Sequence, residues 1–116
     1  LCEQVRVALE GKVRGVYNFA GETTLRQFID AAAACRAFLT NDSGAMHIAY
    51  AVGVPTVAVF GPTDHIGTGP SGEHTRIVRV PVECSPCKLR ECPIDHRCMK
   101  RVEADAVGRT ALELLK

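Results

Sequence analysis

"FLTNDSGAMHIAYAVGVPTVAVFGPTD", residues 38–64, decides how this chain is read. An apolar segment enters a polar knot at Asn41-Asp42-Ser43-Gly44, an almost wholly apolar helical stretch follows, and "TVAVF" then ends in Gly61-Pro62-Thr63. Strands that are apolar on both faces and alternate with helices argue for a parallel sheet covered on both sides rather than for a sandwich. The expected class is therefore α/β and Rossmann-like. In such sheets ligands sit at the carboxyl ends of the strands, which is where both polar junctions fall.

Working outward, the alternation continues. Residues 1–10 suggest a short helix and Val13 to Phe19 a strand, with Gly11 and Gly15 blurring its start. Thr24-Leu25-Arg26-Gln27 has the capping-box form, and Leu25, Phe28, Ile29 and Ala32 follow at helical spacing, so a helix is expected from Thr24 to Arg36. Ala37 to Thr40 reads as a strand, Ala45 to Val52 as a helix, and Thr56–Phe60 and Thr75–Val80 as strands, giving the order βαβαββ. Ala104, Val107, Ala111 and Leu114 form the stripe of a closing helix, with Glu103 and Asp105 where the helix dipole favours acids.

Bulk properties narrow the function classes. A chain of 116 residues, 47% hydrophobic with a formal charge of +1, suits one domain spanning 1–116, because a chain of this size buries roughly two thirds of its unfolded surface. Near-neutral charge argues against a nucleic-acid partner. No apolar run reaches the roughly 20 residues of a membrane span, and the first residues lack the pattern of a signal peptide, so a cytoplasmic location is expected.

The knot at 41–44 has a specific chemistry. Ser43 is a natural helix N-cap, and Gly44 leaves room for a ligand to approach the backbone. The unpaired N–H groups of the first turn, near residues 44–46, suit a phosphate. At about 100° per residue, His47 lies about 40° from Ser43 and Tyr50 about 60° from His47, so the three share a face. His47 can donate to a phosphate oxygen, while Asp42 is suited to accept from sugar hydroxyls. The pattern fits a sugar joined to a diphosphate. It also fits plain capping chemistry with a histidine satisfied in the core, and Gly-Pro after a strand is an ordinary turn.

"AGETTL" at 20–25, "NDSGAMHIAYAVGVPTVAVFGPTD" at 41–64 and "CSPCKLRECPIDHRCM" at 84–99 resemble the C-terminal half of the ADP-heptose:lipopolysaccharide heptosyltransferases, of the heptosyltransferase II type in glycosyltransferase family nine. The resemblance implies the donor-binding half of a GT-B enzyme, with two Rossmann-like domains and the active site between them. It implies that Asp42 contacts the heptose, that Ser43, Gly44 and Ala45 offer backbone donors to the diphosphate, that His47 assists at the phosphate, and that Thr23 and Thr24 lie near the adenosine. An N-terminal half would bind the lipopolysaccharide core acceptor and supply the catalytic base, so no catalytic residue is nominated here. The implied reaction inverts the anomeric carbon and requires no cofactor. The family's C-terminal domain begins with a strand, loop and helix start that this chain lacks, so the chain reads as a C-terminal fragment that alone would be inactive. His65 and His74 are expected near the rim of the site, as loop histidines in solvent.

Cys84-x2-Cys87-x4-Cys92-x5-Cys98 is the other dense feature, with His96 between the last two thiols; Cys2 and Cys35 read as ordinary core thiols. The first pair has knuckle spacing, but the second does not repeat it. Structural zinc on the 84–98 loop, packed reduced thiols, disulfides and an iron–sulfur cluster all remain open. Seven basic residues (Arg76, Arg79, Lys88, Arg90, Arg97, Lys100, Arg101) against three acids (Glu83, Glu91, Asp95) could face a phosphorylated acceptor or the inner membrane surface, or solvent. Two other functions stay in view: another ADP- or UDP-sugar enzyme of the same build, such as a different GT-B transferase or an epimerase, and a non-enzymatic metal-binding or redox module organised by the cysteines.

Overall fold

The computed structural model describes residues 2–62, 65–68, 74–85, 87–88 and 91–115. Its helices are α1 (Cys2–Leu9), α2 (Leu25–Ala33), α3 (Gly44–Ala51), the single turns α4 (His65–Thr68) and α5 (Arg97–Lys100), and α6 (Ala104–Leu114). Its strands are β1 (Phe38–Asn41), β2 (Thr56–Val59) and β3 (Thr75–Val78), all parallel in the order β1-β2-β3. Phe38 pairs with Thr56, and Thr56 with Thr75, so the three strands start and end level. Among the described residues no helix is long and apolar enough to cross a membrane.

β2 is the central strand. Thr56, Val57 and Ala58 are all buried, and since successive strand residues point to opposite faces, both faces of β2 are covered. Thr56 is the one polar residue among the described buried ones, and its hydroxyl donates to the Val54 carbonyl at 2.8 Å, so that group is paired. α3 lies against β1 and β2, α2 packs on α3, and α6 lies against β2 and β3. Met46, Ala58 and Phe60 form the core, with Ile77 packed against them.

α2 begins as its capping box predicts. Thr24 Oγ1 accepts from the Gln27 N–H at 3.2 Å, and Gln27 Oε1 accepts from the Thr24 N–H at 2.9 Å. The helix ends at Ala33, earlier than Arg36, because the backbone tightens at Ala34, whose N–H reaches back to Asp30 and Ala31.

Val13 to Phe19 is not a strand. A strand needs a neighbour to satisfy its N–H and C=O groups, and this stretch has none among the described residues. Val13, Tyr17 and Phe19 are exposed, the two rings merely stacking on each other at 6.1 Å. Between Val16–Ala20 and the outer edge of β1 lies an open recess of about 880 Å³, which Cys2, Val5 and Arg6 of α1 also border. Cys2 and Cys35 are exposed, not core thiols.

Candidate functional site

β1 and β2 end side by side, and between their ends lies a cleft of about 240 Å³ lined by Asn41, Asp42, Val59, Gly61, Pro62 and Met99. The backbone turns out of β1 at Asp42 and into α3 at Ser43, whose extended conformation (φ −163°, ψ 171°) is that of an N-cap. Ser43 Oγ accepts from the Met46 N–H at 3.4 Å and donates to the Asn41 carbonyl at 3.3 Å, with Thr40 Oγ1 alongside at 3.4 Å. Capping thus uses one of the three N–H groups expected for a ligand. Those of Gly44 and Ala45 have no carbonyl four residues back within the helix, and a side chain added at Gly44 would meet open space. The helix entrance is accessible to an anion.

His47 is exposed one turn further on, which rules out a satisfied core histidine. Its Nδ1 lies 2.9 Å from the Tyr50 hydroxyl, and the rings meet edge to face at 5.4 Å. The shared face read from helical spacing thus holds for His47 and Tyr50, and the other ring nitrogen, Nε2, lies outside that bond.

Thr23 and Thr24 lie elsewhere. α3 starts at the carboxyl end of the sheet, because it leads from the end of β1 back to the start of the parallel strand β2. Thr23, however, borders a separate recess of about 390 Å³ with Phe19, Ala20, Gly21, Phe28 and Phe38, and the Thr24 side chain is occupied by its cap. The structure brings Asp42, Ser43, Gly44 and Ala45 together, with His47 one turn away, and does not bring the threonines into that cleft.

The two rim histidines differ from expectation. His74 is exposed, but its carbonyl accepts from the Thr56 N–H at the amino end of the sheet, the opposite end from the cleft. His65 is not a solvated loop residue: it opens α4, packs edge to face on Phe60 at 6.5 Å, and its buried Nδ1 has no hydrogen-bond partner among the described residues.

The far wall of the cleft comes from the cysteine loop, which sequence spacing alone did not connect to the site. The Ser85 hydroxyl donates to the Gly61 carbonyl at 2.6 Å, and the Lys88 N–H to the Pro62 carbonyl at 2.7 Å. Gly61 is buried beneath Met99 and Cys98; a Cβ there would stand 2.8 Å from Met99 Cγ and 3.2 Å from Cys98 Sγ. Met99 and Pro62 border both the cleft and a smaller pocket of about 60 Å³ that Cys84, Cys87, Cys92 and Cys98 line. The signal for Met99 was its place in the "ECPIDHRCM" block; nothing in local spacing could have brought it to Asp42.

Electrostatics organise this loop as well. Arg97 bonds Glu83 at 2.5 Å and Asp95 at 3.1 Å, clasping the two ends of the cysteine run. The Asp95 carboxyl is held below its usual range by its hydrogen bond to Arg97, and that of Glu83 by a bond from its own backbone and by the Arg97 charge. Arg97 is thereby engaged within the loop, so it does not belong to a free basic face; Arg90 and Thr63 lie outside the described residues. Burial, then the nearby thiols of Cys84, Cys87 and Cys92, push the Cys98 thiol up. All six cysteines are free thiols, and among the described residues no three His, Cys, Asp or Glu side chains are gathered closely enough to hold a metal ion.

Residues 2–97 match the family model described as Glycosyltransferase family 9 (heptosyltransferase). The chain is 36% identical over 118 residues to lipooligosaccharide heptosyltransferase 2 of Campylobacter jejuni, a match covering 100% of this chain and 37% of that protein. It is 41% identical over 90 residues to lipooligosaccharide heptosyltransferase 2 of Haemophilus influenzae (77% of this chain, 26% of the relative). It is 46% identical over 63 residues to lipopolysaccharide heptosyltransferase 2 of Escherichia coli (54% of this chain, 18% of the relative). The chain thus spans little more than a third of the relative that it matches along its whole length. No solved structure matches it. The chain belongs to glycosyltransferase family 9, the heptosyltransferases.

Proposed function

We propose that the chain is the sugar-nucleotide-binding part of a heptosyltransferase acting in the lipopolysaccharide inner core, with ADP-heptose as its donor. The observation that carries this reading is the cleft at the carboxyl ends of β1 and β2, where Asp42 sits beside the open first turn of α3. A diphosphate placed at that turn meets the Gly44 and Ala45 N–H groups and the positive end of the helix dipole. A sugar on its outer phosphate then lies against the Asp42 carboxylate, which accepts from its hydroxyls. His47, oriented by Tyr50, donates to a phosphate oxygen from the same helix.

The division of chemistry follows from these groups. Helix donors stabilise the departing ADP as negative charge develops on it, which is electrostatic catalysis without a covalent intermediate. A base on the acceptor half deprotonates the attacking hydroxyl, and the anomeric carbon inverts. The reading makes residues 1–116 a C-terminal piece of a GT-B enzyme, and the recess beside the outer edge of β1 is where a preceding strand of the full-length protein would lie. Thr23 and Thr24 would reach the adenosine only from their own recess. Action at the cytoplasmic face of the inner membrane follows from the lipid-linked acceptor.

Replacement of Asp42 tests the reading. In the full-length enzyme Asp42→Ala should weaken ADP-heptose binding by about 1.5–3 kcal/mol, roughly ten- to hundredfold. Binding of ADP without the sugar should change little. Calorimetry that found equal loss with both ligands would place Asp42 at the phosphate or in the fold and refute the assignment.

A further inference from the structure

We propose that Cys84, Cys87, Cys92 and Cys98 are the four ligands of one structural zinc ion that holds the far wall of the cleft in place. The inference is independent of the donor assignment. Four thiols drawn from fifteen residues of chain line one small pocket, all of them free and none paired in a disulfide. Cys84-Ser85-Pro86-Cys87 is a two-residue spacing of the kind that structural zinc sites use. Lys88, directly after it, is left-handed at φ 60°. A lysine resists that conformation where glycine would not, and its N–H is anchored on the Pro62 carbonyl at 2.7 Å.

The second pair shows matching features. The His96 N–H donates to Cys92 Sγ at 3.3 Å, a bond that strengthens when the sulfur is a thiolate, and His96 is itself left-handed at φ 56°. Arg97 clasps Glu83 to Asp95, holding the first and second halves of the loop together.

The loop also needs such a cross-link. Of the described residues from 84 to 98, Cys98 alone is buried, so the loop has almost no apolar core of its own. Segments that cannot bury enough apolar surface are commonly fixed by a metal or by disulfides. Four thiolates in a tetrahedral arrangement suit zinc among the divalent metals.

The thiols surround the pocket without three of them yet converging, so uptake of the ion contracts the loop. Each bound sulfur lies about 2.3 Å from zinc. The thiols that are protonated beforehand release their protons to solvent, and no electron is transferred. Zn²⁺ with four thiolates carries two negative charges, which the basic residues Lys88, Lys100 and Arg101 in and beside the loop offset.

Metal content and a cobalt titration of the full-length protein test this. The purified protein should contain about one zinc per chain, with four thiols shielded from a thiol reagent until a chelator is added. Refilling with Co²⁺ should give the visible bands of tetrahedral cobalt and strong thiolate charge transfer in the near ultraviolet. Cys87→His, which keeps a ligand, should retain binding but shift the cobalt bands as a nitrogen replaces a sulfur. Cys35→Ser, outside the loop, should leave the spectrum unchanged. Reduced protein that binds neither metal and exposes all four thiols overturns the proposal. So does a disulfide within the loop, an iron–sulfur chromophore in the purified protein, or a Cys87→His spectrum identical to that of the parent.

Discussion

Asp42 and His47 lie five positions apart in sequence and are assigned to different parts of the proposed ligand, so their replacements should separate. His47→Ala should lower affinity for ADP itself, whereas Asp42→Ala should act through the sugar. Tyr50→Phe sharpens the test, because it removes only the hydroxyl 2.9 Å from His47 Nδ1. Loss of one such bond is worth about 0.5–1.5 kcal/mol, so ADP affinity should fall roughly two- to tenfold with the melting temperature unchanged. Titration calorimetry of both variants decides it, and an unaffected Tyr50→Phe would mean that the tyrosine does not orient the histidine for binding. The spacing of Ser43, His47 and Tyr50 made this face legible in the sequence. His65 was not legible, because its contact with Phe60 depends on how the chain turns after β2, which no periodicity encodes.

At the scale of elements, the clearest sequence signals were those with a local physical cause. The Thr24 capping box, the Ser43 cap and the doubly apolar β2 each follow from neighbouring residues, and each stands where spacing put it. Val13 to Phe19 misled because its composition is that of a strand while strand formation depends on a partner. The contact between the cysteine loop and the end of β2 was hidden for a related reason: it joins residues that are 24 apart or more. Gly61 is the tightest point of that contact. Gly61→Ala should force Met99 and Cys98 aside and destabilise the fold by about 1–3 kcal/mol, nearer the lower figure because methionine yields readily. Thermal melts of Gly61→Ala, Met99→Ala and the double variant form a cycle. A double variant less destabilised than the sum of the singles is expected, and strict additivity would mean that the side chains do not meet.

For the whole molecule, the parallel order β1-β2-β3 puts every strand end that matters on one edge, and that edge carries the cleft, the entrance of α3 and the docked cysteine loop. The α/β class was readable because β2 is apolar on both faces, and it directed attention to the carboxyl edge, where ligands of such sheets gather and where the cleft lies. What could not be read was the composition of the cleft's far wall, where Met99 is brought in from the end of the cysteine loop. The most direct measurement is an amide chemical-shift titration of the protein with ADP and, separately, with UDP. ADP should shift the Gly44 and Ala45 amides first and bind more tightly than UDP, with β3 and the His74 end of the sheet left undisturbed. Shifts clustered away from residues 41–47, or a preference for UDP, would contradict the account.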